Sequence, residues 1–208
     1  MAATLYSNLV KKGTPMTFHS LPARAAWRHV EARDGFEVVF IQTTGEGYRF
    51  EGHTAAVEEG EPWWVHYVID ISPSWFTRKA LVSVRSSRAV RSIVIQSDGD
   101  GHWLIDGRPQ PGLDGCPDID LESSALTNTL PAHRLDLEVG QSGDAPAVYV
   151  RALDLSVMRL NQHYRRLPDS PEGPRYAYIA PTFDADFVIP YDPTGLVLDY
   201  PGLAQRVL

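Results

Sequence analysis

Asp118 and Asp120 stand two residues apart in Gly115-Cys116-Pro117-Asp118-Ile119-Asp120-Leu121. In an extended segment that spacing puts both carboxylates on one face, with Ile119 and Leu121 on the other. Such a pair could coordinate a divalent cation or serve as acid and base. With His133 and Arg134 close behind, the four could act on a sugar or phosphate group. The competing reading is structural: the carboxylates accept backbone N–H bonds or pair with Arg134, because a buried carboxylate needs partners. Cys116 could be a nucleophile beside His133. Between Gly115 and Pro117, with no local motif supplying an orienting group or oxyanion site, it reads instead as a small buried residue.

The seven histidines fall at no metal-ligand spacing, and the chain contains no P-loop, no G-x-G-x-x-G and no G-x-S-x-G. No catalytic residue, metal or cofactor is therefore assigned. The aromatic residues offer different chemistry. Trp and Tyr present large apolar faces with a polar tip, which suits a groove for a sugar or lipid. Trp103, Tyr164, Tyr178 and Tyr200 are the expected walls of such a groove. Asp118, Asp120, Asn128 and Arg134 are the expected polar cluster at or beneath one end.

The elements that must carry these residues are mostly strands. Trp63, Val65, Tyr67, Ile69 and Ile71 form one apolar face, Ala80, Val82 and Val84 another, and Ile93 and Ile95 a third, each with the period of two that marks a strand. In Phe36 to Ile41 both faces are largely apolar. His133, Leu135, Leu137 and Val139 alternate with Arg134, Asp136 and Glu138 and read as a further strand. More runs follow over 147–153, 175–180, 183–189 and 196–200, and Val157 to Arg166 fits a long strand better than a helical turn. Ser123 to Asn128 is too short to assign. Asp98-Gly99, Asp100-Gly101 and Asp106-Gly107 predict tight hairpin turns around a short strand at His102 to Ile105, since Gly supplies the positive φ they need.

Residues 1–22 show no period and are expected to be an extension, partly disordered or loosely docked. Residues 23–208 are expected to form one mostly β domain, a many-stranded roll or barrel that closes its own edges. With 208 residues, 43% hydrophobic and 22% charged, the chain is an ordinary globular one. A net charge of −7 with no basic stripe argues against nucleic acid. A single cysteine excludes an internal disulfide. No run approaches the ~20 apolar residues of a membrane span, so a cytoplasmic protein outside the integral-membrane class is expected. Oligomeric state is not legible.

Several of these residues together resemble a known family. They run from Asp70 and Trp75-x-Thr77-Arg78 through Gly101-x-Trp103-x-x-Asp106-Gly107 to Leu113-Asp114-Gly115-Cys116-x-Asp118-x-Asp120-Leu121. Thr127-Asn128-Thr129-Leu130-Pro131, Arg134-Leu135, Gln162-x-Tyr164, Tyr176-x-Tyr178 and Gly195-Leu196-Val197-x-Asp199-Tyr200-Pro201-Gly202-Leu203 continue the order. This set is similar to the glycolipid-binding family, formerly a domain of unknown function, from about Trp27 to the C-terminus. The resemblance implies a single-domain spiral β-roll shaped like bacterial lipoprotein carriers, and a glycolipid or other amphipathic small molecule as ligand. An enzyme using Asp118, Asp120, His133 and Arg134 is the second reading. A protein-interaction module with a filled roll and a large exposed apolar patch is the third.

Overall fold

The computed structural model describes residues 18–31, 33–88 and 90–208. The first eight strands are β1 (Arg24–His29), β2 (Asp34–Thr44), β3 (Gly47–Glu58), β4 (Glu61–Ile71), β5 (Thr77–Ser86), β6 (Val90–Ser97), β7 (Trp103–Ile105) and β8 (Arg108–Pro109). After them come β9 (Asp118–Leu121), helix α1 (Thr129–Leu135), β10 (Ser142–Asp144), β11 (Ala147–Val150) and β12 (Val157–Leu160). The chain ends with β13 (His163–Ser170), β14 (Gly173–Ala180), β15 (Ala185–Pro190), β16 (Asp199–Tyr200) and β17 (Ala204–Arg206).

Among the described residues these strands form three sheets. The largest has ten strands in the order β16-β17-β1-β2-β3-β4-β5-β6-β7-β8, so the C-terminal strands join the meander at its start. A four-stranded sheet runs β10-β13-β14-β15, and a three-stranded one runs β12-β11-β9. The last contains a parallel pair, β9 with β11. The fold is thus mostly β and roll-like, as expected, but the large sheet is not a closed barrel: its two ends, β16 and β8, remain edges. Both are two residues long and β8 ends in Pro109, which leaves little open ladder for another chain to join.

The alternation in the long strands is realised residue by residue. Trp63, Val65, Tyr67, Ile69 and Ile71 of β4 and Ala80, Val82 and Val84 of β5 are all buried. A slip of one residue would turn His66, Val68 and Asp70 inward instead, so burial fixes the register. Burying each Val or Ile here contributes about 1.5–3 kcal/mol. Asp106 and Gly107, at φ 49° and 75°, make the turn between β7 and β8 that the Asp-Gly pair predicts.

In β2 the sequence leaves the choice of face open, and the structure settles it. Glu37, Val39 and Ile41 point inward while Phe36, Val38 and Phe40 are 46%, 41% and 56% exposed. This apolar stripe is narrow, because its cross-strand neighbours are Arg28 and Ala55, Ala26 and His53, and Arg24 and Glu51.

What fills the roll is the segment after β9. Ser123, Ser124, Ala125, Leu126 and Leu130 are at most 1% exposed. Thr54 Oγ1 donates to Ser123 O at 2.7 Å. Glu37 accepts from Tyr67 Oη at 2.6 Å, from Ala125 N at 2.8 Å and from Ser124 Oγ. Gly52 makes room for this link, since a Cβ there would lie 2.2 Å from the Tyr67 ring.

Two expectations are corrected. The alternating run from His133 to Val139 is not a strand: Thr129–Leu135 is an α-helix, ended by Asp136 in the left-handed conformation at φ 42°. Pro131 fits its first turn, where a missing N–H costs nothing. Val157 to Arg166 is two strands, β12 and β13, interrupted at Asn161 and Gln162, where Gln162 turns its side chain to Asp120. Of the expected N-terminal extension, residues 1–17 lie outside the described residues, while His19 N donates to Pro193 O at 2.9 Å and Phe18 packs on His133.

Candidate functional site

Asp118 and Asp120 share a face of β9 but reach different surroundings. Asp118 is 1% exposed and held by Arg134, with Nε to Oδ1 at 3.0 Å and Nη2 to Oδ2 at 2.7 Å. Burial raises its pKa and the guanidinium opposes that rise. Arg134 also lies over the Phe76 ring at 5.7 Å. This pair is a structural clamp that fastens α1 to β9. Asp120 accepts from Thr127 Oγ1 at 2.9 Å and from Gln162 Nε2, and it lines a cleft.

The cleft has a volume of about 410 Å³ and lies where the end of β9, β14, β15 and the turn after β16 meet. One wall is aromatic. The rings of Tyr178 and Phe187 are 5.2 Å apart, Phe187 and Tyr200 5.0 Å, and Tyr178 and Tyr200 5.9 Å. Tyr149 and Phe183, 4.9 Å apart, also face the cleft. Burial raises the pKa values of Tyr178 and Tyr200, so both phenols stay protonated and able to donate. The polar lining includes Asp120, Glu122, Ser124, Asn128 and Arg33. Such a site, apolar faces with a few convergent polar groups, has the size and make-up of a small-molecule pocket.

The eight residues singled out in the sequence divide evenly. Asp120, Asn128, Tyr178 and Tyr200 line the cleft. Asp118, Arg134, Trp103 and Tyr164 do not line it and are held by hydrogen bonds within the fold. Trp103 is 1% exposed and donates from Nε1 to Cys116 O at 2.9 Å. Tyr164 is fully buried and donates to Asn128 Oδ1 at 2.8 Å, while Tyr191 donates to Asn128 O at 3.1 Å. Asn128 is thus held from both sides as a cleft wall. Arg33, Glu122, Tyr149 and Phe187 are not among the eight; Tyr149 and Phe187 carry a signal, as aromatics in the runs 147–153 and 183–189, and Arg33 and Glu122 carry none.

His133 faces another cavity, of about 430 Å³, with Phe18, Tyr48 and Trp75. It stacks on Trp75 at 3.7 Å, and its Nε2 lies 3.0 Å from Thr194 O. Burial pushes its pKa down to about 3. The four residues of the enzymatic reading are therefore not gathered at one cavity. Cys116 is buried, and its thiol is pushed up to about 11, mainly by burial. Among the described residues no group of three or more His, Cys, Asp or Glu side chains is placed to hold a metal ion, and no helix is long and apolar enough to cross a membrane.

Asp120 gives the cleft a pH dependence. Burial, opposed by the Thr127 and Gln162 bonds, raises its pKa from 3.8 to about 6. A carboxyl whose folded pKa is raised binds its proton more tightly in the folded state, so its contribution to stability is largest below about pH 4 and falls as pH rises through 6. Asp120→Asn removes that dependence, and the Gln162 amide can turn over to suit it. The stability difference between wild type and Asp120→Asn should shift by about 2.4 kcal/mol between pH 4 and pH 7, in favour of the variant at the higher pH. Urea unfolding of both proteins across that range measures it. A difference that stays constant would mean that Asp120 is not held in a proton-favouring site.

A profile of the family described as "Putative glycolipid-binding" matches residues 24–206. Among solved structures, a DUF1089 family protein from Pseudomonas aeruginosa is 34% identical, with a TM-score of 0.72 over 82% of this chain and 92% of that one. A β-barrel-like protein of the domain of unknown function DUF1849 from Brucella abortus is 8% identical, with a TM-score of 0.50 over 89% and 94%. That second likeness concerns the fold alone. No curated protein matches.

Proposed function

The chain belongs to the family described as "Putative glycolipid-binding", and from that premise we propose that it is a carrier or sensor whose cleft holds an amphipathic small molecule, of which a glycolipid is the class that fits best. The observation that supports this reading is the cleft itself. Tyr178, Phe187 and Tyr200 give it a continuous aromatic wall, and Asp120 and Asn128 stand in the same space as polar anchors. Apolar faces favour burial of a hydrocarbon or of a sugar's C–H face, while the anchors fix orientation. A volume of about 410 Å³ suits a head group or one chain. A two-chain lipid would leave part of its tails outside or require the cleft to open.

Native mass spectrometry of the freshly purified protein, with organic extraction of the same sample, tests the reading. An amphiphile recovered in near-stoichiometric amount, and saturable uptake of an environment-sensitive alkyl probe by the emptied protein, are the expected results. Repeated absence of any bound amphiphile, with no uptake of the probe, would overturn it.

A further inference from the structure

Arg33 immediately precedes β2, and its side chain is 5% exposed. Its Nε and Nη1 are buried and have no hydrogen-bond partner. The nearest opposite charge, Glu58 Oε2, is 3.7 Å from Nε, too far for a hydrogen bond. The guanidinium also lies over the Trp63 ring at 5.1 Å, a contact that offsets charge but accepts nothing from in-plane N–H groups. Buried donors are nearly always satisfied, so unused ones require an explanation. Arg33 has one at hand: it lines the same cleft as Asp120, Glu122 and Tyr200.

The charges around Arg33 decide what kind of acceptor belongs there. A carboxylate or phosphate head would be drawn to the guanidinium but would share the cleft with the acidic Asp120 and Glu122, with Glu58 already beside the arginine. A cationic head would meet Arg33 itself. A neutral head bearing several hydroxyls avoids both conflicts, because each hydroxyl can accept from Arg33 or Tyr200 and donate to Asp120 or Glu122. We infer that Arg33 is the head-group residue of the cleft, donating from its unused N–H groups to the hydroxyl oxygens of a neutral, polyhydroxylated head. The protein then takes sugar-headed amphiphiles in preference to fatty acids or alkyl phosphates. This inference rests on the binding function proposed above and specifies the ligand's polar end.

Four probes of equal chain length test it: octyl glucoside, octanoate, octyl phosphate and octanol, each titrated by calorimetry below its aggregation concentration. Wild type should bind octyl glucoside roughly tenfold or more tighter than the other three, the value of about one well-formed hydrogen bond. Arg33→Met, which keeps the stem and removes the donors, should weaken octyl glucoside about tenfold and leave octanol unchanged. Arg33→Lys should restore part of the difference. Tightest binding of octanoate or octyl phosphate, lost in Arg33→Met, would make Arg33 an anion site and overturn the sugar assignment. Equal binding of octanol and octyl glucoside, or no effect of Arg33→Met, would reduce Arg33 to a partner of Glu58 and Trp63. If wild type binds none of the four, the binding function itself fails, not only its head-group residue. Should Arg33→Met not fold, the wild-type ranking together with Arg33→Lys decides the matter.

Discussion

Arg134→Met should destabilise the native protein by about 3–5 kcal/mol, one of the largest single-residue effects expected in this chain. The arginine is the charge partner of a carboxylate that is 1% exposed, and it reaches both Asp118 oxygens. Removing it leaves that carboxylate buried and unpaired. The loss is a large share of the 5–15 kcal/mol that holds a typical domain folded, and it would lower the melting temperature by roughly 10 °C. Replacing both partners, Asp118→Leu with Arg134→Met, should recover most of the loss, because a matched apolar pair needs no charge partner. Thermal and urea unfolding of the two single variants and the double variant check this. Equal destabilisation in Arg134→Met and in the double variant would show that the clamp matters through packing and not through charge.

The second large effect centres on Glu37. Its carboxyl lies beneath β2 and gathers the Tyr67 hydroxyl, the Ser124 hydroxyl and the Ala125 N–H. Glu37→Ala leaves three buried donors without an acceptor and opens a cavity, which should cost about 3–5 kcal/mol. Glu37→Gln keeps one acceptor oxygen and should cost about 1–2 kcal/mol. Because Ser124 also lines the cleft, Glu37→Ala should weaken uptake of the alkyl probe as well as stability. Stability loss with unchanged probe uptake would show that the sheet does not set the position of the cleft wall.

Glu37 also shows where sequence reading stops. In Phe36 to Ile41 the apolar residues fall on both faces, so pattern alone cannot choose which turns inward. The choice is made by Tyr67, Ser124 and Ala125, which are distant in sequence and need an acceptor. The long strands were legible for the opposite reason: from Trp63 to Ile71 and from Ala80 to Val84, one face is continuously apolar and no competing element claims it. The helix Thr129–Leu135 was hidden because it has seven residues, too few to establish a 3.6-residue period, and because His133, Leu135 and Leu137 alternate by accident across its end.

The cleft was half legible. Asp120, Asn128, Tyr178 and Tyr200 fall within motifs that carry the family resemblance, and each has a chemistry that invites a ligand. Arg33 carries no such mark. It stands alone between Ala32 and Asp34, and only the return of Tyr200 to Leu203 beside the start of the large sheet gives it a cleft to face. Trp103 and Tyr164 have the same chemistry as Tyr200 but belong to the core, a distinction set by their neighbours. Their hydrogen bonds to Cys116 and Asn128 place them there.

That the cleft between Tyr178, Phe187 and Tyr200 is where a ligand sits is tested most directly by blocking it. Ala185 lines the same space, and Ala185→Trp would fill it with an indole from the start of β15. Calorimetric titration of octyl glucoside into wild type and Ala185→Trp, with melting curves for both, is the decisive measurement. Saturable binding to wild type that falls at least tenfold in a variant of unchanged melting temperature is the predicted result. Equal binding to both proteins would contradict it and place the ligand elsewhere on the molecule.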